Sequence, residues 1–291
     1  QMIGSWKGFV AARLQYDRLN ATLEKLHAEP QRMSLPDPEG HIQVESLVVA
    51  PPGSKAPVIR NISFVAPAGS IVGIVGPSAA GKSTLARALL GIWTPQHGTV
   101  RLDGADISAW DKQKLGPHLG YLPQDIELFE GSISDNIARF DKVDPEQVVL
   151  AARIAGVHEM ILQLPDGYDT VIGSEGVNLS GGQRQRIGLA RAVYGSPRLI
   201  VLDEPNSNLD EVGERALSVA LQKVTESGVT VFIISHRPSI LSRLDRVMVL
   251  NAGVISLYGA REQVIAELAK QQAKTQQRVA PVAADAAQPS A

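Results

Sequence analysis

The sequence predicts an α/β fold organised on a parallel sheet, and three observations carry the prediction. Ile71-Val72-Gly73-Ile74-Val75 and Leu199-Ile200-Val201-Leu202 are short apolar runs with no polar alternation, the pattern of strands buried on both faces. Thr230-Val231-Phe232-Ile233-Ile234 has the same character later in the chain. Helical stretches at 83–90 and 211–226 lie between such runs, so strand and helix alternate as they do around a parallel sheet.

Ahead of that core, residues 1–28 are expected to form an amphipathic helix. Ile3, Trp6, Val10, Leu14, Leu19, Leu23 and Leu26 recur at spacings of three to five, while Lys7, Arg13, Arg18, Glu24 and Lys25 take other faces. The chain opens on Gln1 in mid-element, and this helix is expected to continue from a transmembrane domain outside the sequence. Pro30, Pro36, Pro38 and Gly40 make 29–40 a linker. Residues 41–49 and 58–64 read as strands parted by the turn-rich Ala50-Pro51-Pro52-Gly53-Ser54, and 98–102 as a short strand stopped by Asp103-Gly104. From about 125 to 180 the pattern changes to short helices broken by Pro and Gly, 145–155 and 157–164 among them. Residues 246–250 and 254–258, joined by Asn251-Ala252-Gly253, suggest a hairpin, and 261–272 a helix. The rest of 263–291, rich in Ala, Gln and Pro and without aromatics, is expected to be a disordered tail.

Chemistry concentrates at the strand ends. Gly76-Pro77-Ser78-Ala79-Ala80-Gly81-Lys82-Ser83 fits Gly, four variable residues, then Gly-Lys-Ser, a loop whose backbone N–H groups face a phosphate at a helix start. Lys82 is placed to reach the β- and γ-phosphates of a nucleotide and the Ser83 hydroxyl to ligate Mg²⁺. Gly76, Ser78, Gly81 and Thr84 complete that nucleotide-binding set. The run 199–202 ends in Asp203-Glu204, and an acid at the C-terminal end of a buried parallel strand lies in the crevice where open α/β sheets bind ligands. Asp203 therefore fits a Mg²⁺ ligand, directly or through water, and Glu204 is placed to polarise an attacking water. Ser180, Gly181 and Gly182 precede a helical stretch at 183–193, so hydroxyl and backbone donors stand at a helix N-terminus suited to an anion.

Leu179-Ser180-Gly181-Gly182-Gln183 resembles the signature motif of ABC-type ATPases, and further matches follow in that family's order. Tyr121-Leu122-Pro123-Gln124 resembles the Q-loop, Ser207-Asn208-Leu209-Asp210 the D-loop, and Ser235-His236 the switch histidine. The resemblance covers residues 41–262. It implies a P-loop NTPase core with a parallel sheet, an antiparallel β-subdomain and a helical subdomain that carries the signature. It also implies a head-to-tail homodimer in which one copy's P-loop and the other's signature enclose each ATP. On these positions Gln124 would touch Mg²⁺ and water and His236 the γ-phosphate. Ser180, Gly181, Gly182, Gln183 and Asp210 would join the nucleotide site. Leu128 and Phe129 would offer apolar surface to the coupling helix of a membrane domain. One departure concerns the base: family members commonly stack an aromatic on adenine, and Val48-Val49-Ala50-Pro51-Pro52 holds none, so that either Val49 or Pro51 offers an apolar plane or base recognition is weak. Arg184, Arg186 and Arg191 read as a solvated helix face, and His27, His41, His97, His118 and His158 as surface residues.

Composition narrows the remaining choices. The 291 residues carry a formal charge of −2, from 28 basic and 30 acidic side chains, which gives no broad footprint for nucleic acid. The absence of cysteine excludes disulfides, thiolate zinc sites and thiol catalysis. No apolar run approaches the roughly 18–20 residues that cross a bilayer. Gly4-Ser5-Trp6-Lys7-Gly8-Phe9-Val10-Ala11-Ala12-Arg13, with Tyr16, Arg18-Leu19 and the loop Ala50-Pro51-Pro52-Gly53, resembles type I secretion ATPases, which export proteases, lipases or haem-binding proteins from Gram-negative bacteria. That resemblance implies Mg-dependent ATP hydrolysis at the cytoplasmic face of the inner membrane. Its implied partners are a second copy, a transmembrane domain, a periplasmic adaptor and an outer-membrane channel. The rival readings are an exporter of lipid, drug or peptide, and a soluble ABC-type ATPase of DNA repair or translation. The latter would carry two ATPase modules or a long coiled-coil insertion.

Overall fold

The computed structural model describes residues 2–27, 35–173 and 177–279. Half of the expected linker, residues 29–34, and the expected tail beyond 279 lie outside the described residues. The chain divides into two compact units, Gln1–Ser34 and Leu35–Ala291. The described residues of the first form the helix α1 (Met2–His27), on which Trp6, Phe9, Val10, Leu14, Leu19 and Leu23 are exposed. No described helix is long and apolar enough to cross a membrane.

The second unit begins with β1 (Ile42–Val49) and β2 (Ile59–Ala66), an antiparallel pair. Along β1 the buried residues alternate at Ile42 and Val44. The register then shifts near Ser46, which holds φ +45°, and Leu47 and Val49 return to the buried face. Next come β3 (Ile71–Val75), α2 (Lys82–Leu89), β4 (His97–Leu102), β5 (Ala105–Asp106), α3 (Lys112–Leu115) and β6 (Leu119–Leu122). A four-stranded antiparallel sheet runs in the order β2-β1-β4-β5.

A helical portion follows, with β7 (Gly131–Ser132), α4 (Ile133–Ile137), α5 (Pro145–Ile154), α6 (His158–Leu162), β8 (Val171–Ile172) and α7 (Gly181–Val193). Short helices survive here because their ends are satisfied locally. Ser132 and Asp135 form a reciprocal capping box on α4, and Asp144 caps α5 ahead of Pro145. The chain then returns to the core through β9 (Leu199–Asp203), α8 (Glu211–Glu226), β10 (Thr230–Ile234), α9 (Pro238–Leu241), β11 (Arg246–Asn251), β12 (Val254–Ala260) and α10 (Arg261–Val279). α10 runs past the expected end at 272, through Gln, Lys and Ala residues that are good helix formers.

The second sheet has the order β12-β11-β3-β10-β9-β6, parallel except for the antiparallel edge strand β12. Its central strands read as unbroken apolar runs because both faces are covered. Ile200, Leu202, Val231 and Ile233 pack toward the helical portion, while Leu199, Val201, Phe232 and Ile234 pack toward α2 and the antiparallel sheet. Phe232 is fully buried between layers, and truncating such a ring to Ala costs about 3–5 kcal/mol.

Candidate active site

β3 delivers the chain to the glycine-rich loop. Gly76 holds φ +155°, and a Cβ there would stand 2.0 Å from the Leu250 carbonyl oxygen, so the close pass between loop and β11 demands glycine. Lys82 Nζ donates to the carbonyls of Gly76 at 2.9 Å and Pro77 at 3.0 Å, which holds the ammonium across the loop at the first turn of α2. Ser78 is exposed, whereas Thr84 is buried beneath the loop with 8% exposure.

Strand alternation explains Asp203. Leu199 and Val201 face α2, so Asp203 faces it too, on the side from which the Ser83 hydroxyl of α2 acts on its carboxylate. The carboxyl is 2% exposed. Burial raises its pKa above the ordinary carboxylate value. The Ser83 hydroxyl opposes that rise, the Glu204 charge adds to it, and Arg87 and Lys82 oppose it again. A buried carboxylate beside a hydroxyl is a hard-oxygen donor pair of the kind Mg²⁺ accepts when phosphate oxygens complete its shell. Among the described residues no group of three or more His, Asp or Glu side chains gathers to hold a metal unaided.

Glu204 leaves the strand at φ +50°, its N–H donating to the Ile234 carbonyl at 3.0 Å. The parallel register pairs Leu122 of β6 with Leu202 of β9, so two residues further on Gln124 meets Glu204. Gln124 Nε2 donates to Glu204 Oε2 at 3.3 Å. His236 is exposed two residues beyond β10, whose Ile234 pairs with Asp203. Beside it Ser235 is buried and donates to Asn206 Oδ1 at 3.2 Å. The loop, Asp203, Glu204, Gln124 and His236 thus share the C-terminal edge of one sheet.

The remaining predicted residues lie elsewhere. Ser180 Oγ accepts from Gln183 N at 3.3 Å and Gln183 Oε1 from Ser180 N at 2.8 Å, a capping box that commits the Gln183 side chain to α7. Asp210 likewise caps α8, accepting from Gly213 N at 2.8 Å. Among the described residues no hydrogen bond joins 180–183 to the loop at 76–84. Instead Gly182 packs on 207–208, where a Cβ would stand 2.9 Å from the Asn208 carbonyl. Val49 is fully buried in the core and cannot present a plane to a base, while Pro51 is half-buried.

The basic run on α7 departs from the solvated face expected of it. Arg184 is exposed and reaches back to the Leu179 carbonyl at 2.7 Å, but Arg191 is half-buried, donates to Glu127 O at 3.1 Å and lies 6.0 Å over Phe129. The reason is the C-terminal half of α7, which packs against β6 and the segment after Gln124. There a cavity of about 390 Å³ is lined by residues such as Tyr121, Pro123, Phe129, Phe140 and Arg191. His158 also departs from expectation, with Nδ1 2.8 Å from the Tyr168 hydroxyl. Gln185, a buried polar side chain, and Arg139, a half-buried one, are not among the residues the sequence singles out. The available signal was Gln185 sharing a helical face with the apolar Leu189 and Ala192.

The profile of the ABC transporter family matches residues 59–207. The chain is 48% identical over 284 residues to the type I secretion system ATP-binding protein PrsD of Rhizobium meliloti, covering 97% of this chain and 49% of that one. It is 38% identical over 263 residues to the cyclolysin secretion/processing ATP-binding protein CyaB of Bordetella pertussis, covering 90% and 37%. The leukotoxin translocation ATP-binding protein LktB of Mannheimia haemolytica is 35% identical over 262 residues, covering 89% and 37%. The chain therefore spans half or less of the length of these relatives. A bacterial Atm1-family ABC exporter solved with ATP bound superposes with a TM-score of 0.77 at 31% identity, covering 90% of this chain and 48% of that one.

Proposed function

This chain belongs to the ABC transporter family as its ATP-binding domain, and from that premise we propose that it hydrolyses Mg-ATP in a head-to-tail dimer that powers protein export by type I secretion. The observation that carries the reading is the convergence of Lys82, Ser83, Asp203, Glu204 and Gln124 at one sheet edge, with Gln124 and Glu204 in direct contact. The names of the relatives, secretion and toxin-translocation ATP-binding proteins, support the export assignment.

In this reading the loop amides and Lys82 hold the β- and γ-phosphates, so the ammonium exchanges its loop carbonyls for phosphate oxygens. Ser83, Asp203 and Gln124 would hold Mg²⁺, which when bound neutralises charge on the phosphate oxygens. Glu204 takes the proton of the attacking water as its oxygen bonds to the γ-phosphorus and ADP leaves, and the Gln124 amide orients the carboxylate for that transfer. His236 contacts the γ-phosphate from the neighbouring strand end. Ser180, Gly181 and Gly182 close over the nucleotide of a second copy, and Asp210 fixes the segment that follows the glutamate. A transmembrane domain, a periplasmic adaptor and an outer-membrane channel complete the exporter, with this domain on the cytoplasmic face of the inner membrane. The cavity beside Phe129 and Arg191 receives the coupling helix.

The test is steady-state phosphate release by the membrane-length protein in lipid. The expected result is turnover that changes on adding a polypeptide bearing a C-terminal secretion signal. A response to lipids or small drugs, with none to any polypeptide, would transfer the assignment to another class of ABC exporter.

A further inference from the structure

Gln185 lies on the buried face of α7 at 1% exposure, and none of the chemistry above uses it. Its amide is bonded at both ends. Nε2 donates to the Glu204 carbonyl at 3.2 Å and to Ser207 Oγ at 3.4 Å, while Oε1 accepts the Asn208 N–H at 2.9 Å. The segment it grips is already a tight turn, with Ser207 N donating to Glu204 O at 3.1 Å. Glu204 meanwhile holds φ +50°, a conformation that a side-chain-bearing residue keeps only when its surroundings fix it. Gly182, one turn earlier on α7, closes the same contact through its approach to the Asn208 carbonyl.

We infer that Gln185 is a positioning residue that ties the backbone of Glu204 and the 207–208 segment to α7. The helix end offering Ser180–Gly182 to a second copy's nucleotide and the glutamate facing this copy's own nucleotide then move as one body. The inference rests on the dimeric ATPase reading. It is specific to an amide, because the site needs a donor toward Glu204 O and an acceptor toward Asn208 N–H within one side chain. Dropping the acceptor half leaves the Asn208 N–H without its partner, and dropping the donor half leaves the Glu204 carbonyl held by the Ser207 N–H alone.

Two variants separate the halves. Gln185→Met keeps length and removes both bonds. Gln185→Glu keeps the acceptor for Asn208 N–H but sets a carboxylate against the Glu204 carbonyl. Mg-ATP affinity should stay within about twofold of wild type in both, because Lys82 and Ser83 are untouched, while kcat falls by about tenfold or more. The Hill coefficient for ATP should drop toward one in Gln185→Met and persist in Gln185→Glu, a split that loss of packing would not produce. Hydrogen exchange of the 204–208 amides, read without nucleotide, should accelerate in Gln185→Met. Wild-type kcat and cooperativity in both variants would overturn the inference, as would unchanged exchange at 204–208. Should Gln185→Met not fold, Gln185→Glu carries the kcat test alone, and wild-type turnover in it overturns the inference. Absence of turnover in the wild-type protein would instead remove the ATPase reading, and the exchange measurement would still decide whether Gln185 tethers the segment.

Discussion

Asp203 is enclosed by α2, with the Ser83 hydroxyl and the Glu204 charge as neighbours, and burial raises its pKa above the value of a free carboxylate. A carboxyl whose folded pKa lies above its unfolded one contributes stability in full below the unfolded pKa. That contribution is lost as pH rises through the folded pKa. The ionised group is therefore a net cost to the fold in metal-free solution. Asp203→Asn should raise the thermal midpoint in chelator at pH 7 by a few degrees, since ~1 kcal/mol moves a domain of this size by ~2–4 °C. The gain should shrink as pH falls toward the carboxylate range, where both forms are neutral, and hydrolysis should be abolished throughout. Calorimetry of the two proteins across pH checks this, and a lower midpoint for Asp203→Asn at pH 7 would refute it.

Between elements, the same question of buried charge recurs at Arg139, which follows α4 at φ +61°. Its guanidinium donates to five backbone carbonyls: Nε to Arg191 at 3.0 Å, Nη1 to Gly116 at 2.8 Å and Leu119 at 2.7 Å, and Nη2 to Ala192 at 3.4 Å and Tyr194 at 3.2 Å. Burial, with the nearby Arg191 charge, lowers its pKa to about 10, so it remains a cation at neutral pH. It thereby caps the negative end of the α7 dipole and joins that helix to the start of β6. Arg139→Met should lower stability by about 2–4 kcal/mol, since several carbonyls lose their partner, and Arg139→Lys should recover only part because a point charge cannot fork. Urea unfolding measures both, and a loss below about 0.5 kcal/mol in Arg139→Met would mean the carbonyls are satisfied otherwise. This clamp also marks what a linear sequence conceals. The unalternating runs of β3, β9 and β10 were legible because burial on both faces leaves a local pattern. β6 was not, being four residues with Gly120 and Tyr121 inside, and its identity depends on pairing with β9. The loop and the acids at 203 and 204 were legible from residue type and strand-end position, whereas Gln185, Arg139 and the burial of Arg191 arise from contacts between segments far apart in the chain.

Across the whole molecule, the loop and acids occupy one sheet edge, while the donors at the start of α7 make no hydrogen bond to that loop among the described residues. On the ATPase reading one copy offers two half-sites, and a second copy joins them. Glu204→Gln preserves the side-chain shape and cannot take the proton of water, so it should bind Mg-ATP, lose turnover by roughly 10²–10⁴-fold and accumulate a dimer. Gly181→Asp, added to it, tests whether α7 supplies the second half. The nearest atoms to a Cβ at Gly181 are those of the Asn208 side chain at 3.5–3.8 Å, an ordinary contact, and an acid in the first turn of a helix favours its dipole. The fold should therefore survive, and nucleotide affinity at the intact loop with it. The same carboxylate would face the γ-phosphate of a second copy, and like charges at that distance prevent closure. Size-exclusion chromatography with Mg-ATP should show Glu204→Gln as a dimer and the double variant as a monomer that still binds nucleotide. A double variant that dimerises as readily as Glu204→Gln would place the second half-site somewhere other than Ser180–Gly182.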